Sequence, residues 1–120
     1  MENKILFLQY PKCGTCRKAS KWLKENGVEA ASRDITEENP TEEELTQWIR
    51  ISGLPVKKFF NTSGNLYKEQ NLKEKVNSAS DKELIKILAS NGMLVKRPII
   101  ATDAFVLVGF NESEWNERLK

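Results

Sequence analysis

Cys13-Gly14-Thr15-Cys16 contains the only two thiols of the chain. The pair stands where a short apolar run, Ile5-Leu6-Phe7-Leu8, has been stopped by Pro11 and a helical pattern opens at Gly14. That strand-to-helix placement turns a common spacing into a redox signal. A cysteine at the head of a helix faces amide N–H groups without intrahelical partners and the positive end of the macrodipole, and both favour thiolate over thiol. Cys13 is therefore the expected nucleophile, with Lys12 and Arg17 adding positive charge and Gly14 and Thr15 forming the helix start that supports the thiolate. Cys16, three residues on, is close enough in a helical turn to attack a mixed disulfide formed at Cys13 and is the expected resolving thiol. Three blander accounts compete: a chance pair of unreactive thiols, half of a metal site, and a Cys16 that only packs. Metal fares worst, because the chain has no histidine and no third cysteine to complete an ordinary four-ligand zinc site.

Several elements must position these sulfurs. Ile5–Leu8 suits a strand buried on both faces. From Gly14 onward Cys16, Ala19, Trp22 and Leu23 recur at helical spacing, with Arg17, Lys18, Lys21 and Lys24 mostly opposite, until Asn26-Gly27 closes the pattern. Val28 to Ile35 carries a weak alternation that completes a strand-helix-strand unit. Thr41 followed by Glu42, Glu43 and Glu44 predicts a capped helix running to about Ile51 and stopped at Ser52-Gly53. Pro55 can open another helix bearing Val56, Phe59 and Phe60, ending in the turn-rich Asn61-Thr62-Ser63-Gly64-Asn65. Ser80-Asp81-Lys82-Glu83 resembles a capping box for a helix bearing Leu84, Ile85, Ile87, Leu88 and Ala89, closed by Asn91-Gly92. Pro98–Ala101 and Phe105–Val108 read as a hairpin, and Ser113–Leu119 as a terminal helix. A small sheet is completed only if the helical middle protrudes as an insertion.

The 120 residues carry 19 Lys+Arg against 17 Asp+Glu, a formal charge of +2. A chain of this length normally makes one domain and can build a core without metal or disulfide staples. Without histidine the usual neutral-pH general base is missing, which removes serine-protease readings as well as metal hydrolases. No long basic tract marks a nucleic-acid footprint, so no direct nucleic-acid binding is expected. The longest apolar run is the seven residues Ala104–Phe110, far short of the roughly 20 needed to cross a bilayer. Met1-Glu2-Asn3-Lys4 carries an acid and leads into only four apolar residues, so no signal peptide is expected. A cytoplasmic protein is expected, where paired cysteines are reactive more often than structural. No bound cofactor and no metal are called for, and a monomer is expected.

Arg97-Pro98 precedes the third strand. In a redox fold of this order that strand end can face the dithiol, so that Arg97 stabilises an anion or the thiolate; the alternative is a surface cation flanking a strand. Lys57, Lys58 and Lys68 around Asn61-Thr62-Ser63-Gly64 can bind an anion through side chains and loop amides, although such a segment is more often a solvated helix end. Trp22, Trp48, Phe59, Phe60 and Trp115 lie at core-like positions, and packing is expected of them rather than stacking on bases.

Tyr10-Pro11-Lys12-Cys13-Gly14-Thr15-Cys16-Arg17-Lys18-Ala19 and Lys96-Arg97-Pro98-Ile99 resemble the arsenate reductase (ArsC) family in its branch with the Spx/MgsR regulators. The similarity spans nearly the whole chain and includes Lys58–Gly64 and Gly92–Pro98. It implies an α/β, thioredoxin-like (glutaredoxin-like) mixed sheet with an inserted helical subdomain, the core at about 1–40 and 96–120 and the insertion at about 41–95. It also implies Cys13 as the reactive cysteine and Arg97 facing it beside a cis Pro98. Glutathione/glutaredoxin-coupled reductases of the family hold their oxyanion with three arginines. Arg97 stands at one of those places here, and Asn61 and Phe110 at the other two. Losing two guanidinium partners removes charge-assisted bonds of about 1.5–3 kcal/mol each, which weighs against arsenate reduction. Those reductases generally lack a cysteine at the place of Cys16, whereas the Spx-like regulators carry the same Cys-x-x-Cys.

The leading expectation is therefore a cytoplasmic thiol-disulfide oxidoreductase reset by cellular thiols or a thioredoxin/glutaredoxin-type reductant. The second, supplied by the resemblance, is a redox-sensing regulator that binds RNA polymerase. Arsenate reduction through Cys13 and Arg97 comes third.

Overall fold

The computed structural model describes residues 5–62 and 64–119; the readings made for Met1–Lys4 and for Ser63 lie outside the described residues. Strand β1 (Leu6–Gln9) leads into helix α1 (Gly14–Glu25) and strand β2 (Ala31–Asp34). Helices α2 (Glu42–Ser52), α3 (Asn65–Glu69), α4 (Leu72–Ser78) and α5 (Asp81–Ser90) follow, with 3-10 turns at Val56–Phe59 and Gly92–Leu94. Strands β3 (Ile99–Ala101) and β4 (Val106–Val108) and helix α6 (Glu112–Leu119) end the described chain.

The four strands form one mixed sheet in the order β2-β1-β3-β4, parallel between β1 and β2 and antiparallel elsewhere. Period-two alternation then sends neighbouring side chains to opposite faces. Leu8, Ile99, Ala101 and Val106 join one apolar cluster with Leu45, Phe59, Leu88 and Leu94 of the helical middle. Phe7, Ile100 and Leu107 join the other, against Ala19, Trp22 and Leu23 of α1 and Trp115 of α6. The sheet is covered on both sides, which is why β1 and β3 are continuous apolar runs. This is the thioredoxin-like arrangement with a helical insertion between β2 and β3 that the sequence implies.

Helix α1 buries Cys16, Ala19, Trp22 and Leu23, the four positions read from the periodicity. Thr41 and Glu44 form a reciprocal capping box at the head of α2, and Gly53 closes that helix in the left-handed region at φ +70°. The same Glu44 takes a two-pronged bond from Arg33 of β2, at 2.7 and 2.9 Å, and so pins the insertion to the sheet edge.

Three expectations change. The helix opened by Pro55 is only one 3-10 turn, because the following backbone groups pair elsewhere: the Asn61 amide donates to the Leu94 carbonyl and the Lys96 amide to the Phe59 carbonyl, each at 2.8 Å. The turn-rich stretch is followed by the short helices α3 and α4, separated by Asn71 in the left-handed conformation. Strand β2 starts at Ala31 rather than Val28, since the Val28 amide still closes the end of α1 on the Leu23 carbonyl.

Candidate active site

Cys13 is the N-cap of α1, in extended conformation at φ −87° and ψ 124°. Its amide donates to the Tyr10 carbonyl at 2.9 Å, and its carbonyl accepts from the Arg17 amide at 3.1 Å. The turn and the first helical bond thus hold the sulfur against the open end of the helix. Partial burial of that sulfur raises its pKa, but the amides of Cys16 and Thr15, the Cys16 thiol and the Arg97 guanidinium outweigh it, and Cys13 titrates below an ordinary thiol.

Cys16 lies behind, 1% exposed. Burial, reinforced by the neighbouring Cys13, pushes its thiol up to about 12, against the opposing pull of the Tyr10 amide and Arg97. The Tyr10 N–H donates to the Cys16 sulfur at 3.4 Å. Both cysteines are free thiols, one poised to lose its proton and the other to keep it.

Arg97 reaches this pair from the far side. The peptide bond to Pro98 is cis, and the buried Pro98 anchors its end of the sheet through its carbonyl, which accepts from the Gly109 amide at 2.8 Å. The guanidinium lies over the Tyr10 ring, 5.1 Å from its centroid, and Nη1 donates to the Met93 carbonyl at 3.4 Å. Its Nε is buried without a hydrogen-bond acceptor. Cys13, Thr15, Asn61, Arg97, Gly109 and Phe110 line an open cleft of about 890 Å³.

The remaining expected residues are distributed around this centre. Gly14 is exposed, with room for a methyl group on its Cα. Lys12 and Arg17 are exposed, and Arg17 Nε donates to the Pro11 carbonyl at 2.9 Å, bracing the loop before Cys13. Neither is among the groups that set the Cys13 titration, as expected of charges screened by water. Asn61 and Lys58 do not share a cavity: Asn61 lines the cysteine cleft, and Lys58 lines a second hollow with Lys57. Phe110 packs edge-on against Trp22 and Trp115, with centroids 6.5 and 4.7 Å away. Tyr10 and the Met93 carbonyl were not singled out from sequence, because their roles arise only when the β1 end, the Gly92–Leu94 turn and Arg97 converge. An aromatic residue three before the nucleophile was the one available signal for Tyr10.

The ArsC family profile matches residues 8–118. Over 113 residues the chain is 51% identical to the uncharacterized protein YusI of Bacillus subtilis, covering 94% of this chain and 96% of that one. It is 32% identical to the global transcriptional regulator Spx of Staphylococcus epidermidis, covering 87% of this chain and 78% of Spx. The crystal structure of an ArsC family related protein from Bacteroides fragilis superposes with a TM-score of 0.94 at 59% identity, over 98% of each chain.

Proposed function

This chain belongs to the ArsC family, in its branch with Spx and MgsR, and on that premise we propose that it is a cytoplasmic thiol-disulfide oxidoreductase. The observation that carries the reading is Cys13 at the N-cap of α1, lining the same cleft as Arg97, with the buried Cys16 one helical turn behind it.

Cys13 thiolate attacks one sulfur of an oxidised substrate, a new S–S bond forms, and the second substrate sulfur leaves with the electron pair and takes a proton. Cys16 then gives up its proton and attacks the Cys13 sulfur, closing a Cys13–Cys16 bridge and releasing the first substrate sulfur as a thiol. The substrate has gained two electrons, and a cellular dithiol or a thioredoxin/glutaredoxin-type reductant returns two electrons to the bridge. Arg97 lines the cleft and supplies a guanidinium for an anionic group of the bound substrate.

A Cys16→Ser variant expressed in cells tests this. It is expected to accumulate mixed disulfides at Cys13 that wild type releases, and a variant that captures no partner overturns the reading.

The 32% identity to Spx favours one second reading: a redox-sensing regulator whose partner is RNA polymerase, with the same bridge as its switch. Retention of polymerase by one redox state in a pulldown supports it, and retention by neither removes it.

A further inference from the structure

Beside the cysteine cleft lies a second hollow of about 330 Å³, and four of its lining residues are lysines: Lys57 and Lys58 on the 3-10 turn after α2, Lys73 on α4, and Lys96 before β3. All four are exposed. No acidic side chain lines the hollow, and none of the four has an ion-pair partner among the described residues. Its floor is apolar, with Phe60 and Tyr67 buried and packed edge-on at 6.1 Å. Phe60, Thr62 and Lys96 line both this hollow and the cysteine cleft, so the two are continuous across one ridge.

We propose that the lysine hollow seats an acidic, extended segment of the protein whose disulfide Cys13 attacks. This deepens the thiol-disulfide reading and rests on it. A lone small anion is a poor match, because the charges are flexible ammonium groups spread over three elements rather than a convergent fork. A chain bearing several carboxylates meets all four, while one of its apolar side chains rests on the Phe60–Tyr67 floor. Placed beside the nucleophile, such a patch acts mainly by steering encounter and fixing register.

The covalent step is the one already described. Cys13 forms a bond to one partner sulfur, the other partner sulfur leaves with the electron pair, and Cys16 closes the bridge as the first is released.

The test uses three peptides of equal length with the same internal disulfide, flanked by Glu/Asp, by Gln/Asn or by Lys, reacted with the reduced protein under rapid mixing. At low ionic strength the acidic peptide is expected to react about tenfold faster than the neutral one, and the advantage should vanish at high salt. Lys57→Glu with Lys73→Glu should abolish the advantage and leave the neutral rate unchanged. Reversing Lys21 and Lys24 of α1, outside both hollows, should preserve it. Equal rates for acidic and neutral peptides on wild type, or an advantage that survives Lys57→Glu/Lys73→Glu, overturns the proposal while leaving the dithiol chemistry standing. A neutral peptide that does not react at all overturns the dithiol reading itself. A short DNA duplex that displaces the acidic peptide better than a sulfur-free acidic peptide does would overturn the choice of a protein segment.

Discussion

Cys16, buried behind Cys13, helps to lower the pKa of the Cys13 thiol, while burial first and the neighbouring Cys13 second raise that of Cys16, so the two titrate in opposite directions. One group stabilises a negative sulfur three residues away in sequence, and that negative sulfur in turn makes the first group harder to ionise. The arrangement orders the two steps of disulfide exchange. Before attack, Cys13 is the only competent nucleophile of the pair. Once Cys13 is tied up in a mixed disulfide its charge is gone, and one of the causes that hold the proton on Cys16 goes with it.

The first expected outcome concerns Cys13. Alkylation follows the thiolate, so its rate against pH should reach half-maximum below the ordinary thiol value of about 8.5. Arg97→Met should raise that midpoint, since the guanidinium is one of the groups lowering it. Because folding lowers this pKa, its contribution to stability is complete above the unfolded thiol pKa and is lost as pH falls through the folded one. Cys13→Ser should remove that slope from denaturation midpoints measured across the range. A wild-type midpoint at the ordinary value refutes the assignment.

A second outcome isolates Cys16. In Cys13→Ala the neighbouring sulfur is absent while burial, the larger cause, remains. The Cys16 pKa should therefore fall from about 12 yet stay above the ordinary thiol value. Alkylation of the variant by a small uncharged reagent across alkaline pH measures it. A midpoint unchanged at about 12 would mean that the two sulfurs do not communicate.

Much of this centre was legible in sequence because it depends on local geometry. The helix of Cys16, Ala19, Trp22 and Leu23, the strand before it and the glycine stop after it are short-range patterns, and they place Cys13 at the N-cap without reference to the rest of the chain. Arg97 was half legible: the strand order allowed its end of the sheet to face the dithiol, but nothing within its own segment separates a cleft-facing guanidinium from a surface one, and the resemblance decided between them. The helices α3 and α4 were missed for a different reason. With five and seven residues neither is long enough to display a period, and their anchors Tyr67 and Leu72 belong to a core assembled from distant segments. Phe110 was seen only as the occupant of an arginine's place, while its packing on Trp22 and Trp115 needs the β4 end and α1 brought together.

The occupancy of that place leads to the third outcome. The cleft presents Arg97 together with Asn61 and Phe110, so it offers a tetrahedral oxyanion one guanidinium. Charge-assisted bonds contribute about 1.5–3 kcal/mol each, and two fewer of them should weaken capture by orders of magnitude. A coupled assay with glutathione, glutaredoxin and arsenate should show no consumption of reducing equivalents above background, while a disulfide peptide is reduced by the same preparation. Arsenate-dependent turnover would reverse this conclusion.

The fourth outcome links the core to the site through Gly92. A Cβ built on Gly92 would lie 1.8 Å from the Ile35 carbonyl oxygen at the end of β2, a backbone atom that cannot swing aside. Gly92→Ala should therefore cost at least the upper end of the roughly 1–3 kcal/mol typical of overpacking, read as a lowered denaturant midpoint. The displaced strand end and the Gly92–Leu94 turn share the lesion. Met93, the next residue, holds Arg97 through its carbonyl, so the Cys13 alkylation midpoint should rise in the same variant. Gly14→Ala provides the contrast, because a methyl group there meets nothing within 4 Å and alanine is the better helix former. It should leave stability unchanged or slightly raised. If Gly92→Ala lowers stability without moving the Cys13 midpoint, the Met93 carbonyl is not what positions Arg97.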